Sequence, residues 1–229
     1  MIFEKTVIVT NDQDGESFVA ALDLKSGAVV WKSPRGNGAN PNIAAAYCTP
    51  VVHALADGTP ELLLTSQSHG VSSIDPRTGA ANWRAPVYDK RMIASAVVAG
   101  ELVIGSCGSG AGTGNYLTAI RLGGHGDVSK THVAYTLKRA TPYVPTPLYL
   151  DGRLYYVSDG GIASAIEAAT GKQLWSERLP RAEFFGSPVL IDGKIYAPSV
   201  GGEMFVLATG DAFQQLARNP LGEGTHSTP

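Results

Sequence analysis

Asp23-Leu-Lys-Ser-Gly27-Ala-Val-Val-Trp31, Asp75-Pro-Arg-Thr-Gly79-Ala-Ala-Asn-Trp83 and Glu167-Ala-Ala-Thr-Gly171-Lys-Gln-Leu-Trp175 are one phrase written three times. Each places an acidic residue before a Ser/Thr–Gly turn, with a Trp four residues beyond the Gly. These are all the Trp residues of the chain, and a small residue (Ala21, Ser73, Ala165) stands two before each acid. An internal repeat of this kind decides the architecture. Trp31 and Trp83 lie 52 residues apart and Trp83 and Trp175 lie 92 apart, which leaves room for one further unit. Tyr135 takes the aromatic place in that unit. In a last unit Thr209-Gly210 survives, with Gln214 four residues past the Gly.

A second marker runs in phase with the first. Thr49-Pro50, Ser95-Ala96, Thr146-Pro147 and Ser187-Pro188 each open an apolar run, and Thr228-Pro229 repeats the mark at the end of the sequence, at intervals of 46, 51, 41 and 41 residues. These are the lengths of four-stranded units. Within a unit, Leu190-Ile191-Asp192-Gly193-Lys194-Ile195 and Tyr149-Leu150-Asp151-Gly152-Arg153-Leu154 read as tight hairpins across Asp-Gly. A third strand follows each hairpin, and the Ser/Thr-Gly turn leads into a fourth that carries the Trp. The first unit reads as three strands, over residues 6–10, 17–24 and 28–31. No segment holds a 3.6-residue apolar period over helical length. The chain is predicted to be all-β.

The phrase small-x-acid-x-x-Ser/Thr-Gly-x-x-x-Trp resembles the tryptophan-docking repeat of pyrroloquinoline quinone (PQQ) type β-propellers. That family includes quinoprotein alcohol dehydrogenases and the propeller lipoprotein of outer-membrane assembly. The resemblance implies four-stranded antiparallel blades in a single domain, with units near 1–35, 47–86, 93–138, 144–180 and 185–219 and a stub at 225–229. Such propellers close at seven or eight blades, so about five units imply a fragment. A five-unit ring closed by the stub is the other reading, although the stub is short for a strand. Trp31, Trp83 and Trp175, with Gly27, Gly79 and Gly171, are expected to dock blades and to carry no chemistry. The resemblance further implies a periplasmic or exported setting for the full-length product.

Blade topology locates a functional face. The second-to-third loops and the blade-to-blade loops share one face, and nearly all long segments fall there. The other face receives only tight turns. Long loops gathered on one face of a rigid scaffold are where binding residues concentrate. Tyr47, Cys48, Arg91, Met92, Tyr143, Phe184, Phe185 and His226 are expected near the axis, joined by His69, Lys90 and Asp159. Aromatics with Lys90 and Arg91 suit a planar or anionic ligand. The plain alternatives are that the aromatics plug the channel and that Lys90 and Arg91 pair with Asp89 and Glu183. The acids of the repeat, Asp23, Asp75 and Glu167, are expected to accept backbone hydrogen bonds in their own turns.

Other chemistries fall away. With 18 basic and 20 acidic residues the net charge is −2, which gives no nucleic-acid footprint. No apolar run is long enough to span a membrane as a helix. The first residues lack the basic segment and cleavage site of a signal peptide. Residues 105–114 are Gly-rich but lack the Gly-Lys-Ser/Thr ending of a phosphate loop. The five His residues show no metal-ligand spacing, and residues 11–16 lack the distal Glu of a calcium loop. Cys48 and Cys107 share the long-loop face, and whether they pair is open. Two function classes remain. One is a cofactor-free scaffold that binds a protein or peptide through the loop face. The other, implied by the resemblance, is a quinoprotein dehydrogenase using PQQ and calcium to oxidise an alcohol or sugar.

Overall fold

The computed structural model describes residues 1–13, 15–35, 45–109, 114–180 and 182–229. Among them there are strands and no helix. The first sheet holds β1 (Ile2–Phe3), β2 (Thr6–Asn11), β3 (Phe18–Asp23) and β4 (Val29–Pro34). The second holds β5 (Val51–Ala54), β6 (Pro60–Ser66), β7 (Gly70–Ile74) and β8 (Ala81–Ala85). The third comprises β9 (Val97–Ala99), β10 (Leu102–Cys107), β11 (Tyr116–Arg121) and, beyond a two-residue β12 (Gly126–Asp127), β13 (Val133–Leu137). The fourth runs through β14 (Leu148–Leu150), β15 (Arg153–Val157), β16 (Ile162–Glu167) and β17 (Gln173–Arg178). The fifth runs through β18 (Val189–Ile191), β19 (Lys194–Pro198), β20 (Glu203–Ala208) and β21 (Gln215–Pro220). All five are antiparallel meanders in sequence order, the blades of a β-propeller.

The core lies between blades, one apolar cluster at each joint. Leu62 and Leu64 of β6 meet Ile8, Val19 and Ala21 of the first blade. Leu63, between them, points the other way to Val103 and Ile120 of the third. Leu102 and Ile104 join Leu154, Tyr156 and Ile166 of the fourth. Tyr155 and Val157 meet Ile195 and Phe205 of the fifth. A blade buried on both faces needs apolar residues at both parities, which is why the middle strands read as continuous apolar runs. No such cluster joins the fifth blade to the first among the described residues.

The two repeat markers each have a bond. The third and fourth strands of every blade shift register at a corresponding place, between Ala21/Leu22, Ser73/Ile74, Ala119/Ile120, Ala165/Ile166 and Val206/Leu207, and those of the second blade shift again at Gly70/Val71. The residue opposite the first member is Trp31, Trp83, Tyr135, Trp175 and Ala217 in turn. Trp31 donates Nε1–H to the Pro76 carbonyl of the next blade at 3.2 Å. Tyr135 donates its hydroxyl to Ala168, and Trp175 its Nε1–H to Gly210. The Ser/Thr marker forms a ladder. The N–H of Thr49 donates to the Ser95 hydroxyl, that of Ser95 to Thr146, that of Thr146 to Ser187 and that of Ser187 to Thr228.

Three expectations are corrected. The first blade has a fourth strand, because Met1–Val7 forms a hairpin about Glu4 (φ 50°) that the sequence hides behind a non-glycine turn. Gln214 is not at the aromatic place of the fifth blade. Its turn is longer, so Ala217 arrives there, and Phe213 of that turn packs edge-on against Trp175. The face opposite the long loops does not carry tight turns alone, since residues 122–132 connect β11 to β13 there. Within them β12 pairs in parallel with the outer strand of the second blade, Gly126 beside Trp83. With that connection replacing a Ser/Thr-Gly turn, Trp83 bonds instead to Glu61 of its own blade at 2.9 Å.

Asp23 and Asp75 accept backbone hydrogen bonds in their turns as expected, and the Glu167 carboxylate takes a hydroxyl instead. Asp23 accepts the N–H of Lys25 and Ser26, Asp75 that of Arg77, and Glu167 the Thr170 hydroxyl. Gly27, Gly79 and Gly171 stand at φ 72°, 74° and 75°, where a side chain is strained.

Candidate functional site

The long-loop face carries three adjoining cavities that run from the second blade to the fourth. The one closest to the predicted cluster, about 330 Å³, is lined by Gln67, Asp89, Lys90, Arg91, Gly108, Ser109 and Tyr143. Asp89 and Lys90 also line a second cavity of about 710 Å³, with Asn115, Tyr116 and Lys138. Lys138 and Asn115 continue into a third of about 190 Å³, with Thr141, Asp159 and Arg178. Of the predicted residues, Lys90, Arg91 and Tyr143 line the first of these cavities and Asp159 the third.

The carboxylates here are engaged by the protein's own donors. Asp159 accepts the backbone N–H of Tyr143 at 2.7 Å and of Val144 at 3.1 Å, which fastens the loop entering the fourth blade. Burial raises its pKa, and those two amides oppose the rise. Asp89 accepts the Tyr116 hydroxyl at 2.7 Å, and burial pushes the pKa of that phenol up. The cations are left without carboxylates. Lys90 donates to the Gly114 carbonyl and Arg178 to that of Gly160, and neither Lys90, Arg91, Lys138 nor Arg178 forms an ion pair among the described residues. The expected pairing of Lys90 and Arg91 with Asp89 and Glu183 is thus absent.

The remaining predicted residues lie elsewhere. Phe184 is fully buried against Phe205 in the joint between the fourth and fifth blades, and cannot touch a ligand. Phe185 packs on exposed His226 at 5.4 Å between ring centres, away from the three cavities. Tyr47 is exposed, beside the undescribed residues 36–44. Met92 is buried in the joint between blades two and three. His69 lines a separate cavity of about 700 Å³ between the first two blades, with Arg35 and Arg84. Burial, then those two guanidiniums, lower its pKa to about 4. Arg35 there is buried and paired with Asp12 at 2.7 Å. Cys48 and Cys107 are free thiols, each pushed by burial to about 11. Part of the Gly-rich loop, residues 110–113, lies outside the described residues, as does Asp14 of the segment compared with a calcium loop.

Gln67, Lys138 and Arg178 escaped the sequence reading. Lys138 and Arg178 each stand three residues past a docking aromatic, Tyr135 and Trp175, so alignment of the repeats could have found them. Gln67 gave no signal.

A calcium-bound quinone would need carboxylate ligands and a carboxylate base on this face. Asp159 and Asp89, the two carboxylates lining the three cavities, accept two amides and a phenol. No cluster of three or more His, Cys, Asp or Glu able to hold a metal occurs among the described residues.

Five stacked four-stranded meanders, aromatic docking at the outer strands and a loop-bearing face define a PQQ-type β-propeller. More particularly, the chain belongs to the outer membrane protein assembly factor BamB family, which matches residues 2–122 and 134–217. The crystal structure of BamB from Moraxella catarrhalis is similar over 100% of this chain and 67% of its own, at 17% identity and a TM-score of 0.62. A europium-containing methanol dehydrogenase matches 96% of this chain and 50% of its own, at 14% identity and a TM-score of 0.72. Quinohemoprotein alcohol dehydrogenase ADHIIG from Pseudomonas putida HK5 matches 96% and 41%, at 15% identity and a TM-score of 0.68. The chain thus spans about two thirds of the BamB structure and half or less of the dehydrogenases. No curated protein matches the sequence.

Proposed function

We propose that this chain is a cofactor-free propeller scaffold that presents its long-loop face to a protein partner in outer-membrane protein assembly, in a periplasmic setting. One observation carries the reading. In the three cavities of that face the two carboxylates, Asp89 and Asp159, accept the protein's own hydrogen-bond donors, whereas Lys90 and Arg178 are tethered to backbone carbonyls and paired with no carboxylate among the described residues. Such a lining is equipped to bind an anionic partner. Membership of the assembly-factor family supports the choice of partner class; the dehydrogenases share the fold, and fold alone does not assign function.

The test is site-specific photocrosslinking in living cells. A photoreactive phenylalanine replacing Tyr47 on the loop face is expected to give a discrete protein adduct, and one replacing Lys25 on the opposite face is expected to give none. Equal adducts from both faces, or none from either, would overturn the assignment of the face.

A further inference from the structure

The three adjoining cavities share their walls, Lys90 and Asp89 between the first pair and Lys138 and Asn115 between the second. They form one track across the second, third and fourth blades, lined by Lys90, Arg91, Lys138 and Arg178 against only Asp89 and Asp159. Both carboxylates accept hydrogen bonds from within the protein, so they do not neutralise the track. Lys90 and Arg178 are tethered to backbone carbonyls, which fixes their charge in position without cancelling it.

A second, independent observation points to an occupant. Gln67 donates its amide N–H to the Asp89 carbonyl at 3.0 Å, but its Oε1 has no partner. Thr141 Oγ1, in the third cavity, likewise has none. Both residues are more than nine-tenths buried, at 6% and 3% exposure. Buried polar atoms without partners cost stability, and those in a binding site are satisfied by the ligand. The Gln67 oxygen needs a donor such as a peptide N–H, which a simple anion does not offer.

We propose that the track binds an extended acidic segment of a protein partner, its carboxylates on Lys90, Arg91, Lys138 and Arg178 and its backbone amides within reach of Gln67. This rests on the scaffold reading and names the chemistry of its partner. The spacing of the charges along three cavities selects a chain over a single small anion, because no one cavity collects all four cations.

The test is fluorescence anisotropy of a fluorescein-labelled decapeptide of alternating Asp and Glu titrated with the protein. Saturable binding is expected, weakening at least about tenfold between 50 and 200 mM salt and at least about tenfold in a Lys138→Glu/Arg178→Glu variant. Both residues are exposed, so this variant is expected to melt like the parent. A Lys25→Glu/Lys172→Glu control on the opposite face is expected to bind as the parent does. No binding, or binding indifferent to the loop-face reversal, would overturn the proposal. Displacement of the peptide by citrate at equal carboxylate concentration would also overturn it, in favour of a small-anion site. Loss of peptide binding with the Tyr47 crosslink intact would discard the acidic segment and keep the scaffold.

Discussion

The joint between the first two blades and the joint between the second and third solve the same packing problem differently. At the first, Trp31 lies over Gly79 of the next blade's turn, so close that a Cβ there would sit 2.5 Å from the ring. At the second, no such turn exists. There β12 pairs alongside the strand that carries Trp83, the indole N–H goes to Glu61, and Val128 beyond β12 is buried in the same cluster as the ring. The comparison teaches that the aromatic position is fixed by the register shift in the sheet, while the surface that receives it is interchangeable. A turn glycine is one receiver and a strap of backbone is another.

Substitutions can break that comparison. Trp83→Ala is expected to cost most, about 5 kcal/mol, because it opens a cavity and strips buried Glu61 of its only side-chain donor among the described residues. Trp175→Ala is expected to cost about 4 kcal/mol, since Phe213 and Tyr155 lose a ring but no charge is orphaned. Denaturant unfolding ranks the two, and near-wild-type stability of either would remove the docking role. Both values sit within the usual range for buried aromatic truncation.

A finer cut uses the glycines. Gly27, Gly79 and Gly171 share one backbone conformation, yet a Cβ meets nothing at Gly27, Trp31 at Gly79 and Tyr135 at 2.7 Å from Gly171. Gly27→Ala is expected to cost only the left-handed strain, ~1–2 kcal/mol. Gly79→Ala and Gly171→Ala should add roughly 1–3 kcal/mol of overpacking. Equal losses at all three would mean that the turns are not receivers.

The smallest effect is on pH dependence at the first joint. His69 has its folded pKa lowered to about 4 from an ordinary 6.5. The unfolded chain therefore takes up its proton first as pH falls below 6.5, and stability declines from there to about 4. His69→Gln should flatten that part of the profile without altering the Trp83 joint. An unchanged slope would place the histidine in solvent.

Much of this was legible because repeats multiply weak signals. Three Trp phrases and five Ser/Thr marks placed the blades, and Asp151-Gly152 and Asp192-Gly193 form the positive-φ hairpin turns that their residue types demand. Single-copy features escaped. Glu4 adopts a positive φ without a glycine to announce it, and residues 122–132 leave their blade to pair with the preceding one. The site was half visible. Lys90, Arg91, Tyr143 and Asp159 follow from their place in the loops, but Phe184 was misjudged because a loop aromatic one residue from Phe185 points into the joint instead. Engagement of Asp89 by Tyr116, 27 residues away, is a tertiary fact that local sequence does not encode.

The loop face as a surface with committed carboxylates is tested most directly by titrating the folded protein with pyrroloquinoline quinone, with and without calcium, while following Trp fluorescence. The expected result is no saturable, calcium-dependent quenching. Saturable quenching that requires calcium would contradict the scaffold and return the chain to the dehydrogenases.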